Sequence, residues 1–154
     1  MTKNYNQNIF YQTDYGDTRF IAFNILQKFL DQRNLQKITD ILNEELDQYC
    51  KKNELLAEDL FEKIDDEFLN QLLIGFVDNF DEINKAIENL SIENTSFHNL
   101  LLVKLIIFEL KFHHENSAQN IFEDYQKIAN ANKIKFDKKI FLILLNQIRN
   151  FEMQ

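Results

Sequence analysis

Residues 97–113 read FHNLLLVKLIIFELKFH. The apolar run inside them, Leu100 to Leu110, is broken only by Lys104 and Glu109. That is too short and too charged to cross a bilayer. It is nevertheless apolar almost all round, and a helix of that kind is buried on every side. Phe97 to His113 is therefore expected to be the central helix of an all-helical fold.

Working back along the chain, Ser91 to Ser96 reads as a polar link. Before it lies a long segment, Glu67 to Leu90, with Asp65 or Asp66 as its N-cap. Its stripe runs through Phe68, Leu69, Leu72, Leu73, Phe76, Val77 and Phe80, then Ile83, Ile87 and Leu90, at helical steps. Periodicity alone does not say whether the segment kinks near Asn79. Leu55 to Ile64 carries Leu56, Leu60 and Ile64 in line. Leu35 to Cys50 sets Leu35, Ile38, Ile41, Leu42, Leu46 and Tyr49 on one side and Asp40, Glu44, Glu45 and Asp47 on the other. Asp17 and Thr18 are positioned to cap a helix from Arg19 to about Asp31, with Ala22, Ile25, Leu26 and Phe29 facing inward. Residues 1–16, polar and Tyr-rich without a steady period, read as a flexible arm ending at Tyr15-Gly16-Asp17.

Working forward, Ser117 is expected to cap Ala118 to Ala131, whose inner side is Ile121, Phe122, Tyr125, Ile128 and Ala129. A last helix runs from about Asp137 to Phe151 on Ile140, Phe141, Leu144, Leu145 and Ile148. The sum is one domain over residues 17–154. It has about six to seven helices in two halves, Arg19–Ile64 and Glu67–Phe151, arranged as a compact bundle. A chain of 154 residues buries about 68–70% of its unfolded surface, so it needs no covalent staples. Proline is absent and glycine occurs twice, so little here breaks a helix. The excess of Asn, Lys, Ile and Phe matches AT-rich codons, and single Asn or Lys residues carry correspondingly little weight.

Composition also bounds function. One cysteine, Cys50, leaves no internal disulfide, and with no signal peptide legible the chain is expected in the cytoplasm, away from membranes. The net charge of −8 opposes general nucleic-acid binding. It is uneven, however. From Gln126 onward Lys127, Lys133, Lys135, Lys138, Lys139 and Arg149 outnumber Asp137 and Glu152, so +6 − 2 = +4 there leaves −12 for the preceding residues. The basic end reads either as a solvated helix terminus or as an anion-binding face.

The sequence displays no Gly-rich phosphate loop and no nucleophile elbow. His113-His114-Glu115 is the one cluster with ligand chemistry. Neighbouring helical side chains point about a hundred degrees apart, so it reads as a solvent-facing helix end and not as a metal site. His98, near a helix start, reads as a lone satisfied or exposed histidine. Asp65, Asp66 and Glu67 answer the unpaired amides at a helix start. Cys50 reads as a small hydrophobe. No catalytic residue, metal or cofactor is expected, and the chain is expected to act by binding, not as an enzyme.

One family does share the pattern. Phe68-x3-Leu72-Leu73-x-Gly75-Phe76-x2-Asn79-x3-Ile83, LLVKLIIFEL (Leu101 to Leu110), IFEDYQKIAN (Ile121 to Asn130) and Lys139-Ile140-Phe141 occur in order. Together they resemble the NusB family of transcription antitermination factors. Arg19-x2-Ala22-x2-Ile25-Leu26 resembles its first helix, and Lys104 stands where the family's central helix has Arg. The resemblance implies an all-helical monomer or homodimer that pairs with a small ribosomal protein and binds boxA-type RNA. Arg19, Lys104, Lys138 and Lys139 are then the expected RNA contacts, and Asn79, Asn84 and Asn99 mark the expected protein-partner surface. Where the family has an Arg-rich arm, this chain offers only Lys3 before Arg19, and the family's Asn-Gly in the last helix is Leu142-Ile143. A NusB-like interaction module without RNA binding is the alternative. NusB-like domains also precede the catalytic domains of rRNA cytosine methyltransferases, a third reading in which stand-alone catalysis by these 154 residues is not expected. Gly75 inside a helix costs about 1 kcal/mol against Ala, and reads either as the mark of a close helix crossing or as a tolerated accident.

Overall fold

A computed structural model describes residues 14–88 and 96–150. Among them are eight α-helices and no strand. They are α1 (Gly16–Phe29), α2 (Ile38–Lys52), α3 (Leu60–Lys63, preceded by a 3₁₀ turn, Ala57–Asp59), α4 (Asp66–Asp78), α5 (Phe80–Glu88), α6 (Phe97–Phe112), α7 (Ala118–Ala131) and α8 (Lys138–Leu145). A π-helical turn, Asn146–Asn150, continues α8. The all-helical expectation holds. Most of the arm (residues 1–13), Leu90, most of the polar link and Phe151 lie outside the described residues.

Helix α6 is central, as its composition implies. Leu101, Leu102, Val103, Leu105, Ile106, Ile107 and Leu110 are all 0–2% exposed, and each such side chain stabilises the fold by about 1.5–3 kcal/mol. Helix α1 is a second hub, touching α2, α4, α6 and α7. The expected division into halves is therefore not sharp, because α1 packs against both.

The eighth helix comes from a break at Asn79. Asn79 leaves helical angles, at φ −108° and ψ 19°, while its backbone N–H and its side-chain Nδ2 both donate to the Gly75 carbonyl, at 3.0 and 2.8 Å, and α5 restarts at Phe80. Gly75 is explained by a close approach. A Cβ there would lie 2.5 Å from Phe108 Cζ, so the missing side chain admits the ring that α6 projects.

Caps follow local chemistry in several places. Asp65, Ser96, Ser117 and Asp137 each accept a backbone N–H from the first turn of α4, α6, α7 and α8. Asp17 and Thr18 do not cap α1, which starts at Gly16. Thr18 Oγ1 instead accepts from the Asp65 amide at 3.0 Å, and Asp17 accepts from the Tyr49 hydroxyl at 2.6 Å. The supposed arm also ends earlier than its polarity suggests, since Tyr15 stacks on Phe68 with centroids 3.9 Å apart. Three stripe residues are misplaced by pattern alone: Leu35 is 93% exposed, Leu56 63% and Val77 42%. Leu35 precedes α2, Leu56 precedes the 3₁₀ turn, and Val77 sits on the outer edge of α4.

Candidate interaction surfaces

The most ordered polar feature is interior. Glu109, 0% exposed on α6, faces Arg19 of α1, also 0% exposed. Arg19 Nη2 donates to Glu109 Oε1 at 2.6 Å and Nε to Oε2 at 2.8 Å, a bidentate pair. Arg19 Nη1 reaches Asp124 Oδ2 at 2.6 Å. The Tyr125 hydroxyl and Asn116 Nδ2 complete the shell of Glu109, at 2.6 and 3.1 Å. The guanidinium also lies 5.5 Å from the Tyr15 ring centroid and 5.6 Å from that of Phe68, the two rings stacked on each other. Burial alone lowers the Arg19 pKa, but the hydrogen bonds and charge of Glu109 outweigh it and leave it raised. Burial, then the charge of Glu109, holds the Tyr125 hydroxyl well above its usual value. The network ties α1, α6 and α7 together around a buried Arg19–Glu109 pair, with Asp124, 16% exposed, at its edge.

Arg149 performs a related task at the end of α6. Its Nε donates to the Leu110 carbonyl (3.1 Å), Nη1 to Asn116 O (2.6 Å) and Nη2 to His113 O (2.8 Å). A cation there satisfies carbonyls that the helix end leaves open.

The expected RNA contacts separate into two groups. Arg19 is withdrawn into the interior pair, so it is a structural cation with no surface to offer a phosphate. Lys104 is half-buried, its Nζ 4.7 Å from the Phe80 ring centroid in a niche of about 140 Å³ that Leu30, Phe97, Leu100 and Leu101 also line. Burial lowers its pKa. Lys138 and Lys139 are exposed at the head of α8, with Lys138 Nζ 5.8 Å from the Phe122 ring centroid. They continue a basic turn in which Lys127, Lys133 and Lys135 are also exposed. Lys133 closes α7 at φ 56°, where glycine is usual, and Ile134 N bonds back to Ala129 O at 2.8 Å.

The three asparagines are all half-buried. Asn79 ends α4, Asn84 lies on α5, and Asn99 sits in the first turn of α6. Asn99 Oδ1 is buried without a hydrogen-bond partner among the described residues. His113 corrects the solvent-cluster expectation. It is 9% exposed, edge-on to Phe68 and Phe108, with Nδ1 3.1 Å from Glu115 Oε2. Only His114 and Glu115 of that trio are exposed, and Cys50 is half-buried.

A shallow groove of about 470 Å³ runs along α4 beside the end of α6. Ile74, Gly75, Phe108, Phe112, His113 and Asn79 line it. The sequence pattern left it unseen because Ile74, 61% exposed, falls outside the buried stripe. Glu109 had a legible signal: a lone carboxylate in an apolar helix requires a cation or donors. Which ones, only the fold decides.

Among the described residues no helix is long and apolar enough to cross a membrane, and no group of three or more His, Cys, Asp or Glu is arranged to hold a metal ion. The fold and its surfaces define an all-helical domain with two candidate faces, one basic and one apolar. No family model, no curated protein and no solved structure matches the chain.

Proposed function

We propose that the chain is a NusB-like antitermination factor, pairing with a small ribosomal protein and holding boxA-type RNA at the basic turn between α7 and α8. The observation that carries this proposal is the Arg19–Glu109 pair. Both residues fall inside stretches on which the resemblance rests, Arg19-x2-Ala22-x2-Ile25-Leu26 and LLVKLIIFEL, and they meet as a buried bidentate pair across ninety positions. The RNA contacts are reassigned accordingly. Arg19 drops out, and Lys138 and Lys139 take the phosphates, with Lys127, Lys133 and Lys135 beside them. The protein partner meets the surface around Asn79, Asn84 and Asn99.

Titration of a boxA-type RNA at low and moderate salt tests the RNA half. Binding should weaken as salt rises, and Lys138→Ala/Lys139→Ala should reduce the salt slope by about 1.4, from about 0.7 per single-strand phosphate contact. An unchanged slope and affinity in that variant would refute RNA contact at this turn. A second reading, an interaction module that has lost RNA binding, is favoured by the burial of Arg19 and the contact of Lys104 with Phe80. Absence of RNA binding at low salt, with ribosomal-protein binding retained, would select it.

A further inference from the structure

We infer that the groove along α4 is a docking site for a basic amphipathic segment of a partner protein, helical in the bound state. The groove is separate from the basic turn, and of the proposed partner surface it shares only Asn79. From Glu67 to Asn79 the groove follows α4 for about 18 Å, at about 1.5 Å per residue. That length matches three turns of an incoming helix, the span read by apolar anchors at i, i+3 or i+4, and i+7. The floor is apolar and fixed. Gly75 lets the Phe108 ring come to the base of α4, and Phe112 lies against Phe108 with centroids 5.4 Å apart. Ile74, 61% exposed, forms the outer lip, and Val77, 42% exposed, lies one turn further along α4. Exposed aliphatic side chains beside an aromatic floor are what an apolar anchor would cover.

Charge selects the occupant. Glu67 lines the groove at its His113 end, where Glu115 is also exposed, and exposed Asp78, Asp81 and Glu82 stand where α4 gives way to α5. None of the lining residues is Lys or Arg. Of the nearby cations, Lys111 has its Nζ 6.0 Å from the Phe112 ring centroid, Arg149 is engaged on the carbonyls at the end of α6, and Lys85 is exposed on α5. Acidic ends around an apolar centre favour a segment whose apolar anchors are flanked by Lys or Arg, and repel one flanked by Asp or Glu.

The test uses the full chain and two synthetic amphipathic peptides of leucine with lysine, or of leucine with glutamate, followed by fluorescence anisotropy. The Leu/Lys peptide should bind with salt-sensitive affinity, and hydrogen exchange should slow along α4 and the end of α6. Ile74→Asp should weaken binding at least about tenfold, a loss of about 1.4 kcal/mol, while leaving the far-ultraviolet dichroism unchanged. The sign is diagnostic. The substitution adds a negative charge, so adhesion of a cationic peptide by charge alone would tighten. Unchanged or tighter binding in Ile74→Asp, or equal binding of the Leu/Glu peptide, would overturn the inference. So would a wild-type dimer that Ile74→Asp converts to monomer, which would give the face to a second copy. A tenfold gain in peptide affinity on deleting residues 1–13 would give it to the chain's own leading segment. Because neither RNA nor a ribosomal protein enters the assay, its failure leaves the antitermination proposal untouched.

Discussion

Replacing Arg19 with Met removes the cation facing Glu109 while keeping most of the side-chain volume. Glu109 then keeps two donors, the Tyr125 hydroxyl and Asn116 Nδ2, in a site that is 0% exposed. Breaking a buried pair from one side costs about 3–5 kcal/mol, because the remaining charge can neither leave nor find water. For a domain of this size each kcal/mol moves the melting temperature by about 2–4 °C, so Arg19→Met should lower it by about 6–20 °C. Adding Glu109→Gln should restore part of the loss, since a neutral amide still offers an acceptor to Tyr125 and Asn116 and no longer needs the guanidinium. Urea unfolding followed by far-ultraviolet circular dichroism, run on the wild type, both single variants and the double, gives the coupling directly. A coupling of at least about 2 kcal/mol is expected, against the 0.3–0.5 within which independent sites add. An Arg19→Met cost below about 1 kcal/mol, or an additive cycle, would refute the claim that this pair organises the interior.

Gly75→Ala should destabilise despite alanine's helix propensity. The new Cβ meets Phe108 Cζ at 2.5 Å, overpacking costs about 1–3 kcal/mol, and the propensity gain returns only about 1. The penalty should shrink in a Phe108→Leu background, and thermal melts would detect it. Arg149→Met should cost about 1.5–3 kcal/mol, the range for hydrogen bonds to a charged group, measured by the same unfolding assay; a neutral result would mean the π-turn is not fastened to α6. The fold should also weaken in alkali. The Tyr125 hydroxyl is held above its usual value by burial and then by Glu109, and that of Tyr49 by burial and then by its bond to Asp17. A raised folded-state value means the unfolded chain loses these protons first. The stabilisation is therefore complete below about pH 10, the value for free tyrosine, and declines as pH rises through the folded values. Tyrosinate absorbance should show a fraction of tyrosines ionising only together with unfolding.

Much of the architecture was legible because helix formation here is a local matter. Without proline, and with glycine only at Gly16 and Gly75, apolar steps of three and four leave few alternatives. Ala118–Ala131 and its Ser117 cap follow from that pattern alone. The all-round apolar face of Leu100 to Leu110 likewise identified the central helix. What stayed hidden depended on neighbours distant in sequence. The break at Asn79 turns on one residue's backbone angles, and Val77 is outward because α4 packs on α1 through its other side. Thr18 looked like a cap because capping chemistry is local, yet its hydroxyl is taken by Asp65 from across the fold.

The binding surfaces divide along the same line. The basic run from Lys127 to Lys139 is a property of composition, and folding leaves those lysines exposed. Arg19 is the opposite case. As a residue type it suits a phosphate as well as a carboxylate, and its neighbours in sequence do not distinguish the two. Tertiary packing placed Glu109 and Asp124 around it, more than eighty positions away, and so made it an interior brace. A side chain's chemistry is written in the sequence, but whether that chemistry faces water or another residue is decided only when the helices come together.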